Sequence, residues 1–330
     1  MNITYQNFAT EDIDSIIQFW NENSGWETNM NREEFNLRFC TSPFGRPIIM
    51  LALKDKELVG LFCFLAVNVT INGKELKSYR SFGAVLKESF REEFGIYSFL
   101  TGKHPLLKLY NKGIEVAKKE NAAISYNIPD PRWGKILKAF PFETCKYPLW
   151  SYKVASNEPF DLGCNTEIRN IDSTDRNIQV LWEQSHKTNL CTITKNSNFY
   201  HSKLKASRYR YKFRAIYRNN ELIGLFTLDN KGGGAQWLIC DLLTLDQDEV
   251  LTLTLKAACN AIQLELLKTK LELRDTFKAA ILATPTIEQK VKTLGFYRDN
   301  YDFVFAVQVL DKALPKNDID FDNWYVSAND

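Results

Sequence analysis

The sequence predicts a mixed α/β (α+β) protein built from two tandem copies of one domain, each an antiparallel strand meander followed by a strand–helix–strand crossover. Three observations predict it. "ELVGLFCF", beginning at Glu57, returns as "ELIGLFTL" at Glu221, 164 residues later. "IIQFWNENS" carries Trp20 where "IQVLWEQS" carries Trp182, an offset of 162. "LKAFPF" ends at Phe142 and "VKTLGF" at Phe296, an offset of 154. Three echoes in one order mark duplication of a whole domain. A chain of 330 residues has room for two domains of ordinary size. The first is expected over 1–155 and the second over 156–330, the latter including a C-terminal tail.

Copy one opens with a short strand, Ile3 to Gln6, and a helix near Glu11 to Asn21. "PIIMLALKDKELVGLFCFLAV" reads as a hairpin turning at Asp55-Lys56, and Asn72-Gly73 fits a two-residue type I′ turn into a third strand near Leu76 to Val85. An amphipathic helix begins at Pro105, with Leu106, Leu109, Tyr110, Gly113 and Ala117 on one face. "AAISYNI" is the next strand, "PRWGKILKAF" a short helix and "KYPLWSYKV" a closing strand. Copy two repeats the plan with helix "DEVLTLTLKAACNAIQLEL", strand "KAAILAT" and helix "IEQKVKTL". A meander joined to a crossover of this kind gives a mixed sheet with helices on both faces.

The stretch "SRYRYKFRAIYRNNELIGLF" mixes cations with aromatics, as a nucleic-acid arm would. Strand alternation accounts for it: Tyr209, Tyr211 and Phe213 share one face, while Arg208, Arg210, Lys212 and Arg214 share the other, turned to solvent or a small anion. A net charge of +2 gives no global reason to expect a nucleic-acid partner. The N-terminus lacks the layout of a signal peptide, and no apolar run reaches the length of about 18 residues that a membrane span needs. The seven cysteines have no CxxC spacing and the three histidines no metal spacing. They read as reduced thiols of a cytoplasmic protein that holds no metal.

With this order of elements, essentially the whole of each copy resembles the GCN5-related N-acetyltransferase family. The tandem is similar to two-domain acyltransferases of bacterial polysaccharide or cell-envelope biosynthesis, and "NWYVSAND" at the C-terminus is similar to the tail of such proteins. The resemblance implies an acyl-CoA-dependent N-acyltransferase. Acetyl-CoA or another acyl-CoA would be the co-substrate, and the amine of a sugar nucleotide or another small metabolite would attack the thioester directly. Two other readings stay open. One is an aminoacyl or peptidyl transferase of the peptidoglycan-bridge type, which shares the doubled fold but carries a helical arm not visible here. The other is a catalytically degenerate tandem that binds or scaffolds.

Members of the family seat the cofactor's pyrophosphate on backbone N–H groups between the third meander strand and the crossover helix, where a helix N-terminus offers unpaired donors. "RxxxGIY", at Arg91, Gly95 and Ile96, is similar to the family's "RGxGIF" with one residue inserted and the first glycine absent. The resemblance thereby assigns cofactor binding to Ala84, Val85, Arg91, Gly95, Ile96, Gly102, Lys103 and His104, with N–H groups near Phe82 to Ala84 as oxyanion donors. Lys103 and His104 beside a helix N-terminus oppose its dipole unless an anion sits there. Tyr126, Asn127 and Asp130 are the candidate catalytic residues, and Arg80 and Ser81 the candidate acceptor contacts. The family's catalytic tyrosine falls on Leu137, and Pro141 replaces its glycine. In copy two, "TLDQDEV" has no glycine; a capping box between Asp246 and Glu249 is expected to satisfy the helix donors, and the acids to repel phosphate. The coenzyme is therefore expected on copy one alone.

Overall fold

The computed structural model describes residues 3–9, 12–25, 29–95, 97–130, 133–154, 157–185, 191–206, 211–230, 234–266 and 277–328. In chain order the first repeat supplies β1 (Ile3–Asn7), α1 (Ile13–Asn23), α2 (Arg32–Phe35), β2 (Ile48–Lys54), β3 (Glu57–Ile71) and β4 (Lys74–Leu86). It continues with α3 (Glu88–Glu92), α4 (Tyr97–Leu100), α5 (Pro105–Lys119), β5 (Ile124–Asn127), α6 (Gly134–Leu137) and β6 (Glu143–Lys153). The second repeat supplies β7 (Thr166–Asn170), α7 (Arg176–Ser185), β8 (Cys191–Ile193), α8 (Ser197–Ala206), β9 (Lys212–Arg218), β10 (Glu221–Asp229) and β11 (Gln236–Thr244). After these come α9 (Asp248–Leu266), β12 (Lys278–Leu282), α10 (Pro285–Thr293), β13 (Tyr297–Val309) and, in the tail, β14 (Trp324–Tyr325). The expected meander and crossover are present in both repeats.

The hairpin turns follow from residues that tolerate left-handed backbone. Asp55 and Lys56 have φ of 51° and 73°, Asn72 and Gly73 of 50° and 74°, and Asn219 and Asn220 of 52° and 67°. Paired positive φ values are those of type I′ turns, whose twist matches the flanking strands.

Two compact units emerge: residues 1–69, 76–144 and 305–314 form unit 1, and residues 70–75, 145–304 and 315–330 form unit 2. In unit 1 the strands run β1-β2-β3-β4-β5 and then the end of β13. Only the β4–β5 pair is parallel among the registers seen there. Strand β2 is buried on both faces. Ile49 and Leu51 join Ile16, Trp20 and Phe35 on the α1 side, while Ile48, Met50 and Ala52 join Leu106, Leu109 and Tyr110 on the α5 side. Gly113 lets α5 lie close against the sheet, because a Cβ there would stand 2.0 Å from the Phe64 ring.

In unit 2 the strands run from β13 through β6-β12-β11-β10-β9 to β7, with β11 and β12 parallel. Helix α9 packs Val250, Leu255 and Ala258 with Ile216, Phe226 and Leu242, and α7 packs Leu181 and Trp182 with Tyr200, Phe213 and Leu225.

The boundary differs from the expected one near residue 155. Strand β5 takes as its antiparallel neighbour the end of β13, from Ala306↔Asn127 to Val309↔Ile124. Strand β12 takes β6, from Lys278↔Lys153 to Leu282↔Leu149. Each unit is thus completed by the closing strand of the other repeat, and residues 145–154 belong to unit 2. Local periodicity assigns a strand and its buried face, but either of two homologous closing strands satisfies it equally.

Arg208 and Arg210 lie outside the described residues. Lys212 and Arg214 do not form the solvent-facing row expected of them. Both are half-buried; Lys212 pairs with Glu265 at 2.5 Å and sits over the Trp237 ring, and Arg214 donates to the Phe213 carbonyl oxygen at 3.0 Å.

Candidate active site

Parallel β4 and β5 of unit 1 pair over only three positions, Ser78↔Ile124 to Arg80↔Tyr126. Beyond them β5 ends at Asn127 while β4 runs on to Leu86, so the strands part at Ser81. The Ser81 hydroxyl donates to the Tyr126 carbonyl oxygen at 3.2 Å, bridging the strands at that point. Two residues on, Gly83 has a φ of +68°, and a side chain there would meet the Trp20 ring at 2.8 Å. Trp20, Phe39 and Phe82 form an aromatic floor below this bend, with centroids 5.4–6.5 Å apart. A left-handed glycine here turns the strand away from regular pairing, which is how a backbone edge becomes open to a ligand.

The candidate residues distribute unevenly around this splay. Ala84 is half-buried and Val85 buried on the continuing stretch of β4. Arg80 is half-buried, with its guanidinium 5.6 Å from the Phe82 ring centroid. Tyr126 is buried, 6.0 Å from Phe305 between ring centroids, and half-buried Asn127 lies opposite Ala306. Asp130 is exposed after β5, and its carbonyl oxygen accepts from the Trp133 amide. The strands thus bring Arg80, Ser81 and Tyr126 together, whereas Asp130 stands outside the paired region.

Between β4 and α5 the chain folds into two short helices. Arg91 is exposed and reaches Glu88 at 3.5 Å. The exposed Gly95 accepts from both the amide and the hydroxyl of Ser98, at 2.9 and 2.7 Å, and Ile96 lies outside the described residues. Gly102 has a φ of +69°, and Lys103 is exposed.

His104 departs from its expected role as a surface cation. It is buried, stacked on Phe99 at 3.5 Å, and its Nδ1 accepts from the Leu106 amide at 3.2 Å. Burial pushes its imidazole down to about 4, so it is neutral near pH 7 and caps the helix as an acceptor. The Leu107 and Lys108 amides go to the His104 carbonyl oxygen, and the Lys103 and His104 amides to that of Ser98. With Pro105 lacking a donor, the first turn of α5 meets its hydrogen-bond needs internally.

Unit 2 finishes the same crossover differently. The β11–β12 register ends at Ile239↔Ile281, and the next segment of β11 is held by the C-terminal tail. The Tyr325 hydroxyl donates to the Leu242 carbonyl oxygen at 2.8 Å and accepts from the Leu242 amide at 3.0 Å. Beside it lies a buried polar cluster. Asp241 accepts from Lys195 at 2.9 Å, Lys203 at 2.5 Å, Ser327 at 2.6 Å and Thr227 at 3.1 Å. Burial alone would push the Asp241 carboxyl up, but the two ammonium groups and the hydrogen bonds hold it well below the usual carboxylate range.

The expected capping box is absent: Glu249 reaches Arg218 at 3.0 Å instead of turning back to the start of α9. The chain turn Leu245–Asp248 carries its own bonds, and a reach to β9 competes successfully for the Glu249 side chain. Sequence reasoning missed the Asp241 cluster, although a lone acid inside the apolar run "WLICDLLTL" is a signal for a buried ion pair. Among the described residues, no group of acids, cysteines and histidines is arranged to hold a metal ion.

No family model matches the chain, and no curated protein matches it. Solved structures do. A GCN5-related N-acetyltransferase from Anabaena variabilis superposes with a TM-score of 0.68 at 10% identity, over 94% of this chain and 73% of that one. A conserved Enterococcus faecalis protein gives 0.67 at 11% identity, over 94% and 73%. A GCN5-related glucosamine N-acetyltransferase region of a fungal multi-domain GH3 β-N-acetylglucosaminidase gives 0.59 at 10% identity, over 93% of this chain and 38% of that one. The chain therefore has the GCN5-related N-acetyltransferase fold.

Proposed function

We propose that the protein is an acyl-CoA-dependent N-acyltransferase whose thioester lies on unit 1, along β4 from Gly83 to Val85. The observation that carries this reading is the parting of β4 from β5 after Arg80↔Tyr126, with Gly83 turned into the left-handed region at the opening. An extended amide-bearing arm can pair with such an edge as an added strand would, and backbone N–H groups there suit a developing oxyanion. The contrast with unit 2 supports the choice of unit, since Tyr325 already occupies the N–H and C=O of Leu242.

The acceptor is an amine of a small metabolite. The glucosamine N-acetyltransferase region among the fold neighbours favours an amino sugar, free or nucleotide-linked. The amine attacks the thioester carbonyl directly; nitrogen gains the acyl group, the thiolate leaves, and the ammonium proton passes to solvent or to a nearby base. In unit 1, Ser81 and Tyr126 would shape the floor of the cleft, and Arg80 would face the acceptor.

A second reading has its own observation. The satisfied first turn of α5 leaves the pyrophosphate without its customary amides, which favours a catalytically degenerate tandem that binds another partner or scaffolds. Titrating acetyl-CoA into the full chain, with free-thiol release followed over a panel of amino sugars, separates the two. Binding with amine-dependent thiol release is expected, and Lys103→Glu should weaken binding by about 1–2 kcal/mol if the exposed ammonium contacts a phosphate. Absence of thiol release, with acetyl-CoA bound weakly or not at all at millimolar concentration, removes the first reading and selects the second.

A further inference from the structure

Strand alternation breaks at Gly83. Phe82 and Val85 both pack on the α1 side of β4, whereas Ala84 and Leu86 pack on the α5 side. Side chains of a regular strand change sides at every residue, so positions 82 and 85 would face opposite ways. One extra residue is therefore taken up at Gly83, as in a β-bulge. Its φ of +68° is a conformation that glycine admits without strain. The space beneath this bulge is filled. Cη2 and Cζ3 of the Trp20 indole come to 2.8 and 2.9 Å of where a Cβ of residue 83 would stand, and Cys63 Sγ to 3.7 Å. Trp20 is itself buried, with Phe39 set against it edge-on at 5.4 Å between centroids.

The edge of β4 is also short ahead of the bulge. The Ser81 hydroxyl ties β4 to the Tyr126 carbonyl oxygen where the strands part, and Gly83 stands two residues beyond. At about 3.3 Å per residue the two positions are about 6.6 Å apart. Van der Waals contact takes up about 3.5–4 Å of that distance. About 3 Å remains, the length of roughly two carbon–carbon bonds. Arg80 lies two residues before Phe82 and beside Tyr126, so all three side chains turn to the α1 side. A thioester carbonyl held at Gly83 and Ala84 would present its acyl group to that same side. A chain too long to stop short of Ser81 has to turn down through the bulge, into the place the indole holds.

We propose that Trp20 sets the length of the acyl group this protein transfers, limiting it to about two or three carbons. The proposal rests on the acyl-CoA reading of β4 given above and adds to it the residue that selects among acyl groups. A longer chain would have to displace a buried indole from a close-packed cluster, which such interiors resist.

Calorimetric titration of the full chain with coenzyme A, acetyl-CoA, butyryl-CoA and hexanoyl-CoA tests this and needs no acceptor. The wild type should bind hexanoyl-CoA about tenfold or more weakly than acetyl-CoA. Trp20→Leu removes the indole while keeping an apolar side chain. It should raise hexanoyl-CoA affinity about tenfold and leave that for coenzyme A within about twofold. A tryptophan with only a structural role would weaken all four ligands alike. Hexanoyl-CoA bound by the wild type as tightly as acetyl-CoA, or an order that a folded Trp20→Leu leaves unchanged, overturns the proposal while the acyl-CoA reading stands. Failure of all four to bind, coenzyme A included, removes that reading and the proposal together. If Trp20→Leu does not fold, the more conservative Trp20→Phe replaces it, with about a threefold gain for hexanoyl-CoA expected; the wild-type order can overturn the proposal by itself.

Discussion

Two copies of one crossover end in opposite ways. The comparison can be anchored on equivalent hydrogen bonds that close the two meanders: the Lys87 amide to the Val59 carbonyl oxygen, and the Leu245 amide to that of Ile223, both at 3.0 Å. Four residues before each amide stand Gly83 and Asp241. In unit 1 the glycine, at φ +68°, bends over the Trp20 indole where β4 runs on past its pairing with β5. In unit 2 the carboxylate is buried under two lysines, and Ser327 and Tyr325 tie the tail across the strand. A duplicated domain can thus leave one strand edge without a tail across it while the other is closed by the chain itself. The chemistry of the two positions decides which is which: a buried carboxylate demands partners, and the partners fill the edge.

The largest effect should come from breaking the unit 2 lock. Asp241→Asn leaves Lys195, 1% exposed, without its counter-charge and should cost about 3–5 kcal/mol in urea unfolding near pH 7. The pH dependence follows from the same contacts. The folded carboxyl titrates below its unfolded value of about 4, so its contribution is complete above that pH and is lost as pH falls through the folded value. The wild type should therefore lose stability below about pH 4 relative to the variant. A variant as stable as the wild type at neutral pH would mean that the cluster locks nothing.

Tyr325→Phe sharpens the comparison by removing one oxygen atom. The Leu242 amide and carbonyl then lose their shared partner while the ring wall remains. A loss of about 1–3 kcal/mol is expected. Hydrogen exchange at the Leu242 amide should speed up without comparable change at Ala84, its approximate counterpart in unit 1. Unaltered Leu242 exchange would show that the tail hydroxyl does not close this edge.

The parts of the molecule that were legible in the sequence are those governed by local rules. Asp55-Lys56 and Asn72-Gly73 announced their turns, and the apolar face of α5 announced its helix. The fold followed from their order. What was illegible depends on distant partners. The exchange of β6 and β13 pairs residues more than 120 positions apart, as in Lys278↔Lys153. Glu249 stood in the right spacing for a capping box, yet Arg218 outcompeted that arrangement. His104 was legible as a residue beside a helix start, but its burial against Phe99, which removes its charge, was not. Of the candidate site, the spacing placed Arg80, Ser81 and Tyr126 on adjoining strands, and it gave no hint that Tyr325 would return to β11.

The smallest predicted effect bears on whether α5 offers an anion site at all. The His104 imidazole titrates near 4 in the folded protein because burial disfavours its charged form, against about 6.5 in the unfolded chain. A depressed histidine makes the unfolded state the better proton acceptor between those values. Stability should therefore fall as pH drops from about 6.5 toward 4 and level off below that, where both states are protonated. His104→Asn retains a side-chain acceptor for the Leu106 amide but has no proton to bind, so at pH 7 it should cost no more than about 1 kcal/mol, through the lost Phe99 stacking. Its urea midpoint should also fall less steeply than the wild type's between pH 6.5 and 4. This window lies above that of Asp241, so the difference between each variant and the wild type reports the two units separately. Acetyl-CoA changes the expectation in one direction only. A polyphosphate seated at α5 would favour protonated His104 and shift the slope to higher pH, whereas a cofactor held along β4 alone would leave it in place. An unchanged slope in His104→Asn would mean that this imidazole is not the buried neutral cap, and the pyrophosphate site would then be open after all.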